Sequence, residues 1–284
     1  MVVLVTGASG QLGQSLQFIA AEYPQIDFRF FSSQDLDITQ KTKIEAIFKN
    51  IKPRFCLNAA AYTAVDKAES EPEKAYEINV TGAGNLAEVC KEFGAKLIHL
   101  STDFIFDGTQ KTPYNEDDPT NPKSVYGQTK LDGEKAIQAL FDDYFIIRTS
   151  WVYSQFGNNF MKSMLRLSKE RETLSIVNDQ VGTPTNAVDL AVVLVQIILH
   201  NVQNPKRKTY GIYNFSNEGQ CSWFDFAKKI FEINNIKINL KPIPSSDYPT
   251  PAERPKYSVL DKNKIKRVFG VEVKKWEDSL KIME

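Results

Sequence analysis

Val2-Val3-Leu4-Val5 runs without a break into Thr6-Gly7-Ala8-Ser9-Gly10-Gln11-Leu12-Gly13, and no other stretch narrows the fold as much. An unbroken, β-branched apolar run suits a central parallel strand buried on both faces. Leu12, Leu16, Ile19 and Ala20 then recur at helical spacing. Strand, glycine turn and helix in that order predict the first unit of a doubly wound parallel α/β sheet. Gly7, Gly10 and Gly13 let the turn tighten and the backbone approach a pyrophosphate, which the free N–H groups of the helix N-terminus would stabilise. A dinucleotide is the ligand to expect here; a merely structural turn is the plain alternative.

The chain keeps this rhythm. Phe28-Arg29-Phe30-Phe31 reads as a second strand, and Ser32-Ser33 stands at its tip, where an acid would select the ribose 2′-hydroxyl of NAD. Neither an acid nor an arginine is present there, so both NADPH and NADH are expected to be used, with NADPH preferred because serine hydroxyls can donate to a 2′-phosphate. Asp35 follows, Asp37-Ile38 is placed to flank an adenine, and Thr39 is a candidate helix cap. Phe55-Cys56-Leu57 predicts a third strand, ending in the small residues Asn58-Ala59-Ala60-Ala61 before Tyr62. A long helical pattern spans Ala75 to Phe93, with Asn79 inside it and Gly82 and Gly84 suggesting close packing. Lys96 to Leu100 reads as another strand, with His99 expected as a hydrogen-bonded core residue rather than a catalyst. Thr102, at its carboxyl end, can hold a carbonyl for protonation. The Gly-, Pro- and acid-rich segment from Asp107 to Pro122 is expected to be a flexible lid.

Tyr126 and Lys130 lie four residues apart at the start of a helical pattern, so their side chains share one face. A phenol is neutral near pH 7, with a pKa of about 10. A neighbouring ammonium would lower that value and yield a general acid able to protonate a carbonyl oxygen as a hydride reaches its carbon. Taken alone, the spacing also fits an ordinary exposed helix; its position after the glycine turn gives it weight.

In the second half, Phe145-Ile146-Ile147 reads as a sixth strand, and beyond Trp151 the elements shorten. The expected division is a dinucleotide-binding domain over 1–150, to which a segment near 187–200 returns, and a substrate-binding domain over 151–284. Helices are expected from Asn158 to Lys169, from Val188 to Leu199 and from Trp223, whose aromatics read as core. Arg254, in a proline-rich loop, suits a diphosphate. The chain has 284 residues and balances 35 Lys and Arg against 35 Asp and Glu, so no net field favours nucleic acid or an anionic membrane. Cys56, Cys90 and Cys221 are scattered without metal-ligand spacing, and the longest apolar run is too short to span a bilayer. A soluble, cytoplasmic protein is the expectation.

Together the glycine turn, Asn58-Ala59-Ala60, the hydroxyl at Thr102 and the Tyr126/Lys130 pair resemble the extended short-chain dehydrogenases/reductases, with their Rossmann-type sheet. The likeness is nearer still to the dTDP-4-dehydrorhamnose reductase family. It is carried by Ala60 to Glu69, Ser101 to Gly108, Tyr126 to Glu134, Arg148 to Tyr153, Asp179 to Thr185, and Arg254-Pro255 followed by Ser258-Val259-Leu260, and so covers nearly the whole chain. The resemblance implies that Gly10, Gln11, Leu12, Gly13, Asp37, Ile38, Ala59, Ala60, Ala61 and Tyr62 bind the dinucleotide, alongside Gly7 and Ser32 from the turn and the second strand. It implies a catalytic set of Thr102, Tyr126 and Lys130, with Lys130 and Tyr126 also touching the cofactor, and a dTDP-keto-sugar met by Val65, Asp66, Lys67, Asp103 and Trp151. Some members form a homodimer bridged by Mg2+ through a glutamate early in the first helix; Ser15 stands there in this chain, which counts against that metal. Two rivals share the fold: nucleotide-sugar epimerases or dehydratases, and the non-enzymatic regulatory subunit of methionine adenosyltransferase. The dehydratases carry Thr-Asp-Glu where this chain has Thr102-Asp103-Phe104.

Overall fold

The computed structural model describes residues 1–281. β1 (Val2–Thr6), α1 (Gln11–Ile19), β2 (Asp27–Phe31), α2 (Lys41–Ile51) and β3 (Phe55–Asn58) are followed by short helices α3 (Val65–Ala68) and α4 (Pro72–Tyr76), then α5 (Gly82–Phe93), β4 (Lys96–Thr102), α6 (Val125–Leu140) and β5 (Tyr144–Thr149). Beyond lie β6 (Val152–Tyr153), α7 (Phe160–Glu170), β7 (Thr173–Val177), β8 (Val181–Gly182), β9 (Thr185–Asn186), α8 (Ala187–Gln203), β10 (Gly211–Asn214), β11 (Cys221–Ser222), α9 (Trp223–Ile233), β12 (Asn239–Ile243), α10 (Asn263–Phe269) and α11 (Trp276–Lys281).

Six strands form one parallel sheet in the order β10-β5-β4-β3-β1-β2. The chain moves one way from β1 to β2 and the other way to β3, so the topological switch falls between β1 and β3, where ligands bind beyond the strand ends in such sheets. Strand alternation divides the core. Val3, Val5, Leu57, Ile98 and Ile147 face Leu12, Leu16 and Ile19 of α1 and Leu190 and Leu194 of α8. Leu4, Cys56, Leu97 and Ile146 face Ile44 and Phe48 of α2, Leu86 and Val89 of α5, and Ile137 of α6. A separate cluster packs the parallel β7/β12 pair under α7 and α9, through Leu174, Met164, Phe226 and Ile230.

Several expectations change in detail. The segment expected as a sixth strand is the fifth in chain order, and the sixth strand of the sheet is β10. The pattern from Ala75 to Phe93 is one helical path broken by a π turn at Glu77–Thr81. At its end a Cβ on Gly82 would lie 2.6 Å from the Ile38 side chain, so a larger residue there would force Ile38, in the loop after β2, to move. Thr39 does not cap α2; its hydroxyl donates to Asp37 Oδ1, and Gln40, at the N-cap, makes no side-chain capping bond.

The segment 107–122 is no loose lid. Phe106 and Tyr114 stack within the core, Tyr114 N–H donates to the Val259 carbonyl, and Asn214 N–H donates to the buried Glu116 carboxylate at 2.9 Å. Arg148 clamps the same segment by donating to the Glu116 carbonyl while pairing with Glu134. Among the described residues, no helix is long and apolar enough to cross a membrane.

Candidate active site

A cleft of about 970 Å³ opens over the carboxyl ends of the central strands. One end is the turn between β1 and α1. Gly7 has φ +69°, and a Cβ there would lie 2.6 Å from the Ala59 carbonyl and the Ala60 nitrogen; a Cβ on Gly13 would lie 2.4 Å from the Gly7 carbonyl oxygen. The glycines thus seat α1 against the strand end, with its N-terminal N–H groups aimed into the cleft and no side chain capping them. That cradle fits a pyrophosphate. Gly7, Gly10, Gln11, Leu12, Asp37, Ile38, Ala59, Ala60 and Ala61 line this end. Gly13 is one layer back, where it permits the close approach.

Thr102, Asp103, Tyr126 and Lys130 line the middle, at the end of β4 and the start of α6. Ser124 caps α6 by accepting from Gly127 N–H at 3.1 Å, and Gly127 is required because a Cβ would lie 2.2 Å from the Phe104 carbonyl oxygen. The helix start is therefore pressed onto the end of β4, which brings Tyr126 beside Thr102. Asn79 braces the arrangement: its Oδ1 accepts from Tyr62 N–H and its Nδ2 donates to Thr129 Oγ1 at 3.1 Å. It acts on the loop and the helix rather than on Lys130 itself.

The electrostatics differ from the expected pairing. Burial pushes the Tyr126 phenol up to about 12, with the Thr102 hydroxyl pulling the other way. Burial also pulls Lys130 down to about 8, and Glu134 opposes it. Lys130 Nζ turns to the Leu100 carbonyl at 2.6 Å and lies 3.3 Å from His99 Nε2, so its charge is spent on the strand end instead of the phenol. The consequence is a phenol that stays protonated through the neutral range. Asp103 is pushed up to about 6 by burial. Ser101 Oγ and Asp103 Oδ2 are buried without a protein partner, the kind of polar atoms a ligand satisfies.

At the far end, Trp151 adopts φ +47°, which turns its indole onto that of Trp223, with centroids 3.6 Å apart and planes 10° from parallel. Val65, Arg254, Phe160, Asn158 and Asn159 complete this wall. Gln11 ties it to the glycine turn, accepting from Ser154 Oγ at 3.1 Å and Asn159 Nδ2 at 3.0 Å.

Besides Gly13, four expected site residues stand off the lining. Ser32 donates to Asp35 Oδ2, and Ser33 takes its place in the cleft. The Tyr62 side chain is drawn away by a bond to Glu71, which also holds Lys67 at 2.8 Å. Asp66 receives both terminal nitrogens of Arg254, at 2.9 and 2.7 Å, and that guanidinium holds its carboxyl below the usual range. Trp223, expected as core, is part of the wall. Its role arises from the stack with Trp151, a contact between distant segments that no local pattern announces. Ser15, in place of the magnesium-bridging glutamate, is buried and donates to the Gln11 carbonyl.

A parallel sheet switching direction beside a glycine turn, with a hydroxyl, a tyrosine and a lysine at its central strand ends, defines the short-chain dehydrogenase/reductase class of dinucleotide-dependent oxidoreductases. Within that class the family described as the RmlD substrate binding domain matches residues 1–283, and the chain belongs to it. The dTDP-4-dehydrorhamnose reductase of Aggregatibacter actinomycetemcomitans is 41% identical over 286 residues, covering 98% of this chain and 97% of its own. A crystal structure of a dTDP-4-dehydrorhamnose reductase from Clostridium acetobutylicum is similar at TM-score 0.93 and 42% identity, over 100% of this chain and 98% of that one. One from Bacillus anthracis, in complex with NADP, is similar at TM-score 0.92 and 41% identity, over 99% and 98%.

Proposed function

We propose that the chain reduces the C4 keto group of dTDP-4-dehydro-β-L-rhamnose to give dTDP-β-L-rhamnose, using NADPH in preference to NADH. The observation that carries this reading is the cleft itself: one continuous cavity joins the glycine turn to Thr102, Tyr126 and Lys130. The reduced dinucleotide supplies the hydride. Tyr126, a neutral phenol whose hold on its proton burial tightens, gives that proton to the oxygen that becomes an alkoxide. Thr102 holds that oxygen, and Lys130 restores the proton and meets the nicotinamide ribose. Val65, Asp103, Trp151 and Trp223 form the sugar wall, and Arg254 faces the diphosphate. Residues 1–150 carry the dinucleotide and 151–284 most of the sugar-nucleotide wall. Buried cysteine thiols and dinucleotide chemistry suit the cytoplasm, and a homodimer is the assembly we expect.

Phe104 argues against a dehydratase. Its ring stands edge-on to Tyr126 at 5.6 Å and has no proton to exchange. NADPH consumption with the dTDP-4-keto sugar tests the proposal, with NADH run beside it. Stoichiometric oxidation and a dTDP-rhamnose product are expected. Dehydration of dTDP-glucose at an ordinary enzymatic rate would remove the assignment, and dinucleotide binding without turnover would favour a regulatory protein.

A further inference from the structure

We propose that His99 is a positioning residue for Lys130: Asn58 holds its imidazole in one tautomer, and that tautomer turns an N–H toward the lysine nitrogen and sets its proton affinity. The inference rests on the reading that Lys130 serves the Tyr126 acid.

β3 and β4 place Asn58 directly beside His99 in register, and α6 lays Lys130 over them. All three side chains are buried. The backbone fixes the amide. Ala60 N–H points at Asn58 Oδ1 at 3.2 Å, and Thr6 Oγ1 donates to the same oxygen at 2.6 Å. Turned over, the amide would set its own N–H against that of Ala60. Asn58 Nδ2 therefore faces His99 Nδ1, 3.0 Å away, and that ring nitrogen must accept. Burial, reinforced by the like charge of Lys130, keeps the imidazole neutral. Its single proton then sits on Nε2, 3.3 Å from Lys130 Nζ. A neutral amine can accept that N–H while donating to the Leu100 carbonyl; an ammonium has no lone pair to offer. The contact thus favours the uncharged lysine and pulls against Glu134, which favours the charged one.

The other titratable groups around the pair are few. α6 contributes Tyr126 and Glu134, β4 ends on Asp103, and β5 brings Arg148, closed onto Glu134.

The chain has two histidines, so imidazole nitrogen NMR of the unmutated protein, with His200→Gln used for assignment, reads the His99 tautomer directly. We expect Nε2 protonated and Nδ1 bare from about pH 6 to about pH 9, and a mixture of tautomers in Asn58→Leu. A proton on Nδ1 in the unmutated protein would overturn the proposal. In His99→Leu, and more so in His99→Gln, whose carbonyl can accept, the Lys130 titration should move up by about half a pH unit or more. The alkaline limb of turnover should move with it. A lower kcat with an unshifted Lys130 titration would mean that His99 is only packing, and would also overturn the proposal. These spectra need no turnover, so failure of the reductase reading would appear separately, as inactivity of the unmutated protein.

Discussion

In the proposed reduction Tyr126 has to give up a proton that burial makes it hold tightly, and the direction of reaction decides whether that helps. A neutral phenol is the form a reduction needs, because the nascent alkoxide is the stronger base. Tyr126→Phe should leave dinucleotide binding intact, by fluorescence titration, and lower kcat by about 10²–10⁴. Lys130 separates chemistry from stability. Its folded pKa of about 8 lies below the ordinary lysine value of about 10.4. Between those values the unfolded chain holds a proton the folded chain has released, so this group's share of stability increases as pH rises through the window. Its ammonium, and the proton delivery proposed to depend on it, is lost as pH rises through about 8. We therefore expect turnover to fall above about pH 8 while the thermal midpoint shows no matching drop. Parallel loss of both would mean that unfolding, not deprotonation, limits activity. At this scale the sequence was only partly legible. The Tyr126/Lys130 spacing is written in the chain, but the direction of the phenol's shift is not. It depends on whether Lys130 Nζ turns to the Leu100 carbonyl or to the phenol, and that depends on packing between β4 and α6.

Among the elements, α1 and α6 do most to shape the site, and both depend on closeness. Gly13→Ala would push a methyl into the Gly7 carbonyl, 2.4 Å from the ideal Cβ, and displace α1 from the strand end. The expected results are dinucleotide binding weakened tenfold or more and a loss of about 1–3 kcal/mol in urea unfolding. Unchanged binding would mean that α1 need not sit so close. α6 is held lower down by Glu134, whose buried carboxylate takes two bonds from Arg148, at 3.0 and 2.8 Å. Glu134→Ala leaves that guanidinium buried and unpaired, which should cost about 3–5 kcal/mol. An equal loss is not expected in the double variant Glu134→Ala/Arg148→Met, since both charges are then gone. Strands β1, β3, β4 and β5 could be read from the sequence because each is a short apolar run closed by small or polar residues. The anchored segment 107–122 could not. Its Gly, Pro and acid content describes a loop, while Tyr114 and Glu116 are buried by β10 and by the irregular segment at Val259 and Leu260, about a hundred or more residues on.

On the scale of the whole molecule, the cleft lies between surfaces that meet through a few polar ties. Arg254 closes onto Asp66 across the cleft mouth, from residues 188 apart in sequence. If Arg254 meets the diphosphate as proposed, Arg254→Ala should raise KM for the nucleotide sugar with little change in kcat, because such a contact binds ground and transition states alike. A fall in kcat at constant KM would place it at the chemistry instead. The pairing with Asp66 was invisible in the sequence, where both residues read as independent contacts to substrate. The return of the chain to the sheet carries a different consequence. β10 hydrogen-bonds along β5, and α8 covers the apolar stripe of α1 formed by Leu12, Leu16 and Ile19. A gene truncated after residue 150 would therefore encode a nucleotide module with a raw strand edge and an uncovered greasy flank, prone to aggregate during expression. The two halves should be inherited, expressed and lost together, and shuffling one of them onto a foreign partner should succeed only if the crossover carries α8 and β10 along with the first 150 residues.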